Sequence, residues 1–146
     1  MTILPTIDLG LMAEHLSTLE GVINKLVLYE TKVTNIALKE ILVLQAKAMR
    51  NHVKVMLALI NPHQNGYIQL QQLNEYTMNS HPHVLEGQEG NADNKWIASE
   101  SHNTAQSMSN ENYISALTMK NQNIRNIHSE IALQQFTLQG KYTDLI

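Results

Sequence analysis

The side chains that could bind a metal or transfer protons are seven histidines and thirteen acidic residues, and the chain has no cysteine. Without cysteine there are no thiolate ligands, disulfides or cysteine nucleophiles. A di-iron carboxylate centre in a helical bundle needs one Glu from each of two helices and a Glu-x-x-His pair from each of the other two. No glutamate in the sequence has a histidine three residues later. The di-iron signature is therefore missing.

Three histidines nevertheless fall on or beside the apolar faces of three predicted helices: His15, His52 and His128. Imidazoles that converge from three helices could hold zinc or copper, which gives a speculative metal site. Histidine is also common in protein interiors when its nitrogens are hydrogen-bonded, and we favour this second interpretation. The sequence has no glycine-rich phosphate loop, G-x-S-x-G elbow or H-E-x-x-H motif. We therefore expect a non-catalytic protein without a cofactor.

Two long amphipathic helices are predicted to position the first two of these histidines. Helix B spans about 35–60, where Thr34 or Asn35 can cap the first turn and Pro62 ends the helix. Helix A spans about 8–30, with Asp8 as the N-cap. The link between them is only a few residues long, and such short links join antiparallel neighbours. Helices A and B should therefore form a hairpin.

The second half of the chain is predicted to hold a short helix over about 67–78, a loop over 79–108 and a third long helix, C, over about 109–139. The apolar stripe of helix C recurs at seven-residue steps, which suits coiled-coil-like packing. Its members are Leu117, Ile124, Ile131 and Leu138. A polar row runs beside it through Asn121, His128 and Gln135. That row either borders the buried face or bonds across an interface.

The fold class expected from these elements is all-α: one antiparallel helical-bundle domain over 1–146, with three long helices and a short one. A dimer partner could complete such a bundle. A formal net charge of -3 gives no basic face for nucleic acid, and no apolar run reaches the ~20 residues of a membrane span. The first ten residues lack the pattern of a secretory signal, so we expect synthesis and retention inside a cell.

The predicted helices resemble a known family. The segment Leu11 to Leu16, the following EGVINKLVLYET, the turn into NIALKEIL and the stretch Met49 to Pro62 are similar to the ferritin-like spore coat protein F family of endospore-forming bacteria. The segment Ile114 to Gln134 resembles its third helix. The resemblance implies a ferritin-like bundle associated with the spore coat, and it carries over no catalytic motif.

The function expected from this resemblance is a structural or assembly component of the bacterial spore coat, made in the mother cell during sporulation. Its partners would be a second copy, as a homodimer, and other coat proteins, with no nucleic acid and no membrane insertion. The alternative is a metal-binding or oxidoreductase bundle that uses His15, His52 and His128. A third possibility is a regulatory module whose loop, from His81 to Trp96, grips a partner.

Overall fold

The computed structural model describes residues 3–64, 66–76 and 92–146. This part of the chain contains four long α-helices: α1 (Thr6–Lys32), α2 (Ile36–Ile60), α3 (Ala92–Thr118) and α4 (Gln122–Leu145). It contains no strand. The predicted all-α helical bundle is therefore confirmed. None of the helices in these ranges is both long and apolar enough to cross a membrane.

The predicted helices A and B correspond to α1 and α2, and the ends of α2 follow from its caps. Asn35 is the N-cap of α2, and its side chain accepts a hydrogen bond from the backbone N–H of Leu38 at 2.9 Å. The helix stops at Ile60, just before Pro62. Helix α1 begins at Thr6 with Pro5 as its N-cap, so Asp8 does not cap it. The Asp8 carboxylate bonds to another part of the chain instead.

The predicted bounds of the loop, 79–108, and of helix C, about 109–139, are wrong. Residues from Ala92 onward form α3, while residues 79–91 of the predicted loop lie outside the described part. The residues predicted as helix C form the end of α3 and most of α4, and three residues, 119–121, separate these two helices. Gly140 lies inside α4 and does not end it. The physical reason is that buried small and polar side chains interrupt the inward face of α3, so its two large buried apolar residues, Ile97 and Met108, form no continuous stripe.

The break between α3 and α4 is held by side-chain caps. Asn121 is the N-cap of α4 and accepts a hydrogen bond from the backbone N–H of Ile124 at 3.1 Å. Met119 is buried in the break and anchors it to the core. The chain can therefore turn sharply at a point where the heptad pattern alone predicts a continuous helix.

The predicted short helix over 67–78 is also wrong. The described residues of this stretch form one three-residue 3-10 turn, Leu73–Glu75, because Gln71 is tied to α2 in a non-helical conformation. The side chain of Asn51 accepts a hydrogen bond from the backbone N–H of Gln71 at 3.0 Å, and Leu70 is buried beside it. The bundle thus has four long helices within one chain, and a partner is not needed to supply the fourth.

Side-chain contacts at the helix ends fix the helix directions. Asn94, near the start of α3, accepts a hydrogen bond from the backbone N–H of Thr34, just before α2, at 2.9 Å. Asp8, near the start of α1, accepts hydrogen bonds from backbone N–H groups just before α4. Helices α2 and α3 therefore run parallel, as do α1 and α4. The neighbouring pairs α1 with α2, α3 with α4, α1 with α3 and α2 with α4 are antiparallel.

Candidate functional site

A line of buried polar side chains runs through the core of the bundle, and we call it the polar seam. Its members recur at seven-residue steps on α1, α2 and α4, so they stay on the inward face of each helix. The seam consists of Asp8, His15, Gln45, His52, Asn112, Ser115, His128, Gln134, Gln135 and Tyr142. The polar row predicted on helix C is therefore buried from His128 onward, and it bonds between helices of the same chain.

One end of the seam is a buried carboxylate. Asp8 accepts hydrogen bonds from the backbone N–H groups of Lys120 and Asn121, at 2.9 and 2.8 Å. These two donors lie in the link between α3 and α4, where the helical pattern of hydrogen bonds is interrupted. A charged acceptor beside a helix N-terminus is favoured electrostatically. The role of Asp8 is to join the starts of α1 and α4.

The next contacts of the seam involve His15 and His128. The two rings stack with their centroids 5.4 Å apart and their planes at 30°. The Nε2 atom of His15 is hydrogen-bonded to Ser115 Oγ at 2.8 Å, and His128 Nδ1 lies 3.2 Å from Asn112 Oδ1. These contacts link α1, α3 and α4. The Nε2 atom of His128 is buried, and no group in the described part of the chain forms a hydrogen bond with it.

His52 makes its own contact further along the seam. Its Nε2 atom lies 2.6 Å from Gln134 Oε1, and Gln134 Nε2 donates to the backbone carbonyl of Gln71 at 3.0 Å. The Nδ1 atom of His52 is buried and has no hydrogen-bond partner among the residues that the structure describes. Gln134 therefore couples α2 to α4 and to the segment that follows α2.

The last layer of the seam is formed by two glutamines and a tyrosine. Gln45 Nε2 donates to Gln135 Oε1 at 3.2 Å, and the Tyr142 hydroxyl donates to Gln45 Oε1 at 2.7 Å. Burial raises the pKa of Tyr142 well above its ordinary value, so the hydroxyl keeps its proton and remains a donor. This layer connects α2 to the second half of α4.

The Tyr142 contact gives a direct test of this layer. Tyr142→Phe removes the hydroxyl and leaves the buried Gln45 Oε1 without a donor, so we expect the free energy of unfolding to fall by about 1.5 kcal/mol. Urea denaturation monitored by circular dichroism measures it. Tyr67→Phe removes the same hydroxyl from a tyrosine that is 89 % exposed and should change the free energy by less than about 0.5 kcal/mol. Equal effects would contradict the assignment.

The three histidines proposed as metal ligands all lie in the interior, but they do not form a ligand set. His15 and His128 are stacked, whereas His52 is bonded to Gln134. Within residues 3–64, 66–76 and 92–146, no group of three or more histidine, cysteine or acidic side chains is placed to hold a metal ion. His63 is exposed, and the loop histidines 81 and 83 lie outside the described ranges.

Burial determines the charge state of the seam histidines. It lowers the pKa of His52 to about 4 and that of His128 to about 4, and it also lowers the pKa of His15. The cause is the cost of placing a charged imidazole where water cannot solvate it. All three rings are therefore neutral at pH 7, and their hydrogen bonds join neutral groups.

A second feature lies on the outside of the bundle, on α3 and α4. Five large apolar or aromatic residues there each expose between 54 % and 64 % of their surface: Tyr113, Ile114, Leu117, Leu133 and Phe136. We call this set the outer face. Three residues of the outer face, Tyr113, Leu133 and Phe136, line a groove of about 320 Å³. Its other lining residues include Ser109, Ser129 and Ala132.

Sequence reasoning found the histidines but not their partners. Asn112 and Ser115 lie on α3, where most of the buried apolar residues are alanines. The available signal was the spacing of Asn94, Ser101 and Ser115, which are seven and fourteen residues apart and all buried. Small polar residues at heptad spacing are as compatible with a solvated surface as with a core. The sequence alone therefore did not reveal them.

The fold and the seam define a protein of the all-α helical-bundle class with a polar interior. Comparisons of the chain with models of protein families, with curated proteins and with solved structures found no match.

Proposed function

We propose that this protein is a non-catalytic assembly component that associates with a second copy through its outer face. Following the resemblance of its helices to the coat protein F family, we further propose that it serves in the bacterial spore coat, is made in the mother cell and also binds other coat proteins. The observation that carries the proposal is the outer face, where five large apolar side chains are more than half exposed.

The size of the outer face suits pairing with another copy. Large apolar and aromatic side chains carry roughly 150–250 Å² of surface, so the five residues expose roughly 500 Å² of mostly apolar area. Patches of roughly this size on a monomer are often functional. At the ~65 % apolar share of homodimer interfaces, such a patch corresponds to roughly 800 Å² for each partner. This is the area that a standard stable interface buries.

The composition of the outer face also favours a second copy. The groove is lined by hydroxyl, amide, apolar and aromatic groups, including Asn110 and Ser129, and none of its lining residues is charged. An uncharged face does not repel its own copy, and amides and hydroxyls both donate and accept hydrogen bonds. Charged residues are depleted and aromatic residues enriched at the centre of protein interfaces. A twofold arrangement would bring the same groove to both sides of the contact.

The helix directions support the ferritin-like part of the proposal. Neighbouring helices are antiparallel, while α2 and α3 run parallel and are joined by the long connection 61–91. Ferritin-like bundles have two hairpins joined by one long crossover. The polar seam then serves as an internal framework that fixes the register of the four helices, and the outer face serves for assembly.

Sedimentation velocity of the purified protein over a range of concentrations tests the self-association. We expect a reversible dimer, and Phe136→Glu should weaken it by about 30-fold or more, because a charge would be buried at the centre of the contact. Leu57→Glu is the matched control, since Leu57 is 55 % exposed on α2 and outside the face. A wild-type monomer at high micromolar concentration, or equal weakening by both substitutions, would refute the proposed interface.

The location is tested separately in an endospore-forming bacterium that produces the tagged protein during sporulation. We expect the wild-type protein in the coat fraction of purified spores, and we expect Phe136→Glu to reduce the amount recovered there. Absence from the coat together with a dimer in solution would refute the coat assignment and leave self-association intact.

A further inference from the structure

The hydrogen bonds of His52 determine which ring nitrogen carries its proton. Gln134 Nε2 donates to the backbone carbonyl of Gln71, so Gln134 Oε1 is the atom that faces His52. Because that oxygen can only accept, His52 Nε2 must be the donor. Nδ1 then carries the lone pair, and it is buried without a partner. A second proton would therefore have to sit at Nδ1 with no acceptor.

The same reasoning applies to His128. Asn112 Nδ2 donates to the backbone carbonyl of Met108 at 2.8 Å, so Asn112 Oδ1 faces the ring. His128 Nδ1 is the donor, and Nε2 carries the lone pair in a buried position without a partner. Adding a proton at Nε2 would create a second charged donor with no acceptor.

We propose that the seam histidines His15, His52 and His128 form an acid-sensitive switch that opens the bundle when protons bind to them. Together these rings contact all four helices, so their protonation acts on every helix interface that the seam crosses. The inference concerns the interior of the bundle, and it goes beyond the proposed function because it holds whether or not two copies associate.

The charged and titratable groups around the rings determine the direction of the effect. Two acids, Glu14 on α1 and Glu111 on α3, raise the pKa of His15 by electrostatic attraction. Asp8 on α1 raises the pKa of His128 in the same way. On α2 and α4 the titratable groups that face the rings are His52 and His128 themselves. His15 and His52 both lower the pKa of His128 by electrostatic repulsion. Desolvation exceeds the attraction of the acids, so the neutral rings are preferred in the folded protein.

The size of the acid effect on stability follows from the thermodynamic coupling between proton binding and folding. A histidine with a lowered pKa in the folded state binds a proton more readily in the unfolded state, so stability falls as the pH drops below the unfolded value. With pKa values of about 4 in the folded protein against 6.5, His52 and His128 should each lower the folding equilibrium constant about 30-fold at pH 5. Together they predict a loss of roughly a thousandfold at pH 5, nearly all of it below pH 6.5.

Two substitutions keep the donor of each ring and remove its ability to titrate. Glutamine at position 52 places an N–H₂ group near the former Nε2, and asparagine at position 128 places one near the former Nδ1. We compare urea unfolding at pH 7.5 and pH 5.0 in the wild type and in the double variant His52→Gln with His128→Asn. The change in the equilibrium constant should be at least tenfold smaller in the double variant. An equal change of the equilibrium constant in the wild type and in the double variant would overturn the proposal.

His63→Gln is the control, because His63 is exposed and lies outside the seam. The pH dependence of its stability should equal that of the wild type, and a flattened profile would overturn the assignment to the seam.

A second measurement uses the wild type alone and serves if the double variant does not fold. When the wild type unfolds in urea at pH 5.5, each molecule should take up about two protons. An uptake of less than one proton for each molecule would overturn the proposal.

Discussion

Replacing Leu42 with alanine is expected to lower the free energy of unfolding by about 3 kcal/mol. Leu42 lies on α2 with none of its surface exposed, inside the main apolar cluster of the bundle. Truncation removes the transfer free energy of the buried carbons, and the surrounding helices can only partly fill the cavity. The effect is large because three other helices meet α2 around this core and are already positioned by the seam.

Leu57→Ala provides the matched comparison, because it makes the same chemical change on the same helix at a residue that is 55 % exposed. We expect a change of less than about 0.5 kcal/mol. Urea denaturation at a fixed protein concentration, followed by circular dichroism, measures both variants. Similar losses from the two substitutions would show that the register of α2 differs from the one described.

The contrast between these two leucines shows why α2 could be predicted. Its buried apolar residues recur at three- and four-residue spacing between a capping Asn35 and Pro62, and Leu57 falls off that stripe. In such a helix, hydrophobic periodicity and end signals agree. Type, length and inward face could then be read from the sequence, and the ends differ from the prediction by about one residue.

Helix α3 could not be predicted in the same way. Its inward residues include Asn94, Ser101 and Asn112, which are polar and buried. A residue of this kind is classed with the surface unless its surroundings in the fold are known, as for Asn112, whose Oδ1 faces His128 of α4. Residues 92–108 were therefore predicted as loop, although they belong to a continuous helix of 27 residues.

The heptad pattern of helix C failed for a related reason. Leu117 was assigned to the same stripe as Ile124 and Ile131, which are both buried. The chain turns at 119–121, so Leu117 belongs to α3 and points outward, where it forms part of the outer face. Periodicity cannot detect a helix break when the residues on both sides keep the same spacing.

The three histidines were placed on inward faces, and all three are buried. Their chemistry still could not be derived from sequence, because His15 bonds to a residue 100 positions away and His52 to one 82 positions away. Each ring makes one hydrogen bond to these partners, and His52 Nδ1 and His128 Nε2 are buried with no partner among the described residues. The arrangement fixes the register of the helices and, on our inference, makes that register sensitive to acid.

Asp8→Ala is the second substitution for which we expect a large loss, about 3 kcal/mol. The carboxylate accepts hydrogen bonds from Lys120 N and Asn121 N, and both donors would lose their acceptor. Hydrogen bonds to charged groups contribute about 1.5–3 kcal/mol each, and a buried donor left unpaired carries a further cost. We also expect the start of α4 to fray, which amide hydrogen exchange at residues 120 and 121 would detect.

Two controls separate the role of these hydrogen bonds from the loss of a negative charge. Asp8→Asn removes the charge but keeps one acceptor oxygen, so it should lose less stability than Asp8→Ala. Glu20→Ala removes a charge from an exposed position of the same helix and should change the free energy by less than about 0.5 kcal/mol. If Asp8→Ala matched Glu20→Ala, the carboxylate would not hold α4 to α1. A loss confined to Asp8, with faster exchange at the start of α4, would show that one buried acid joins the first helix to the last.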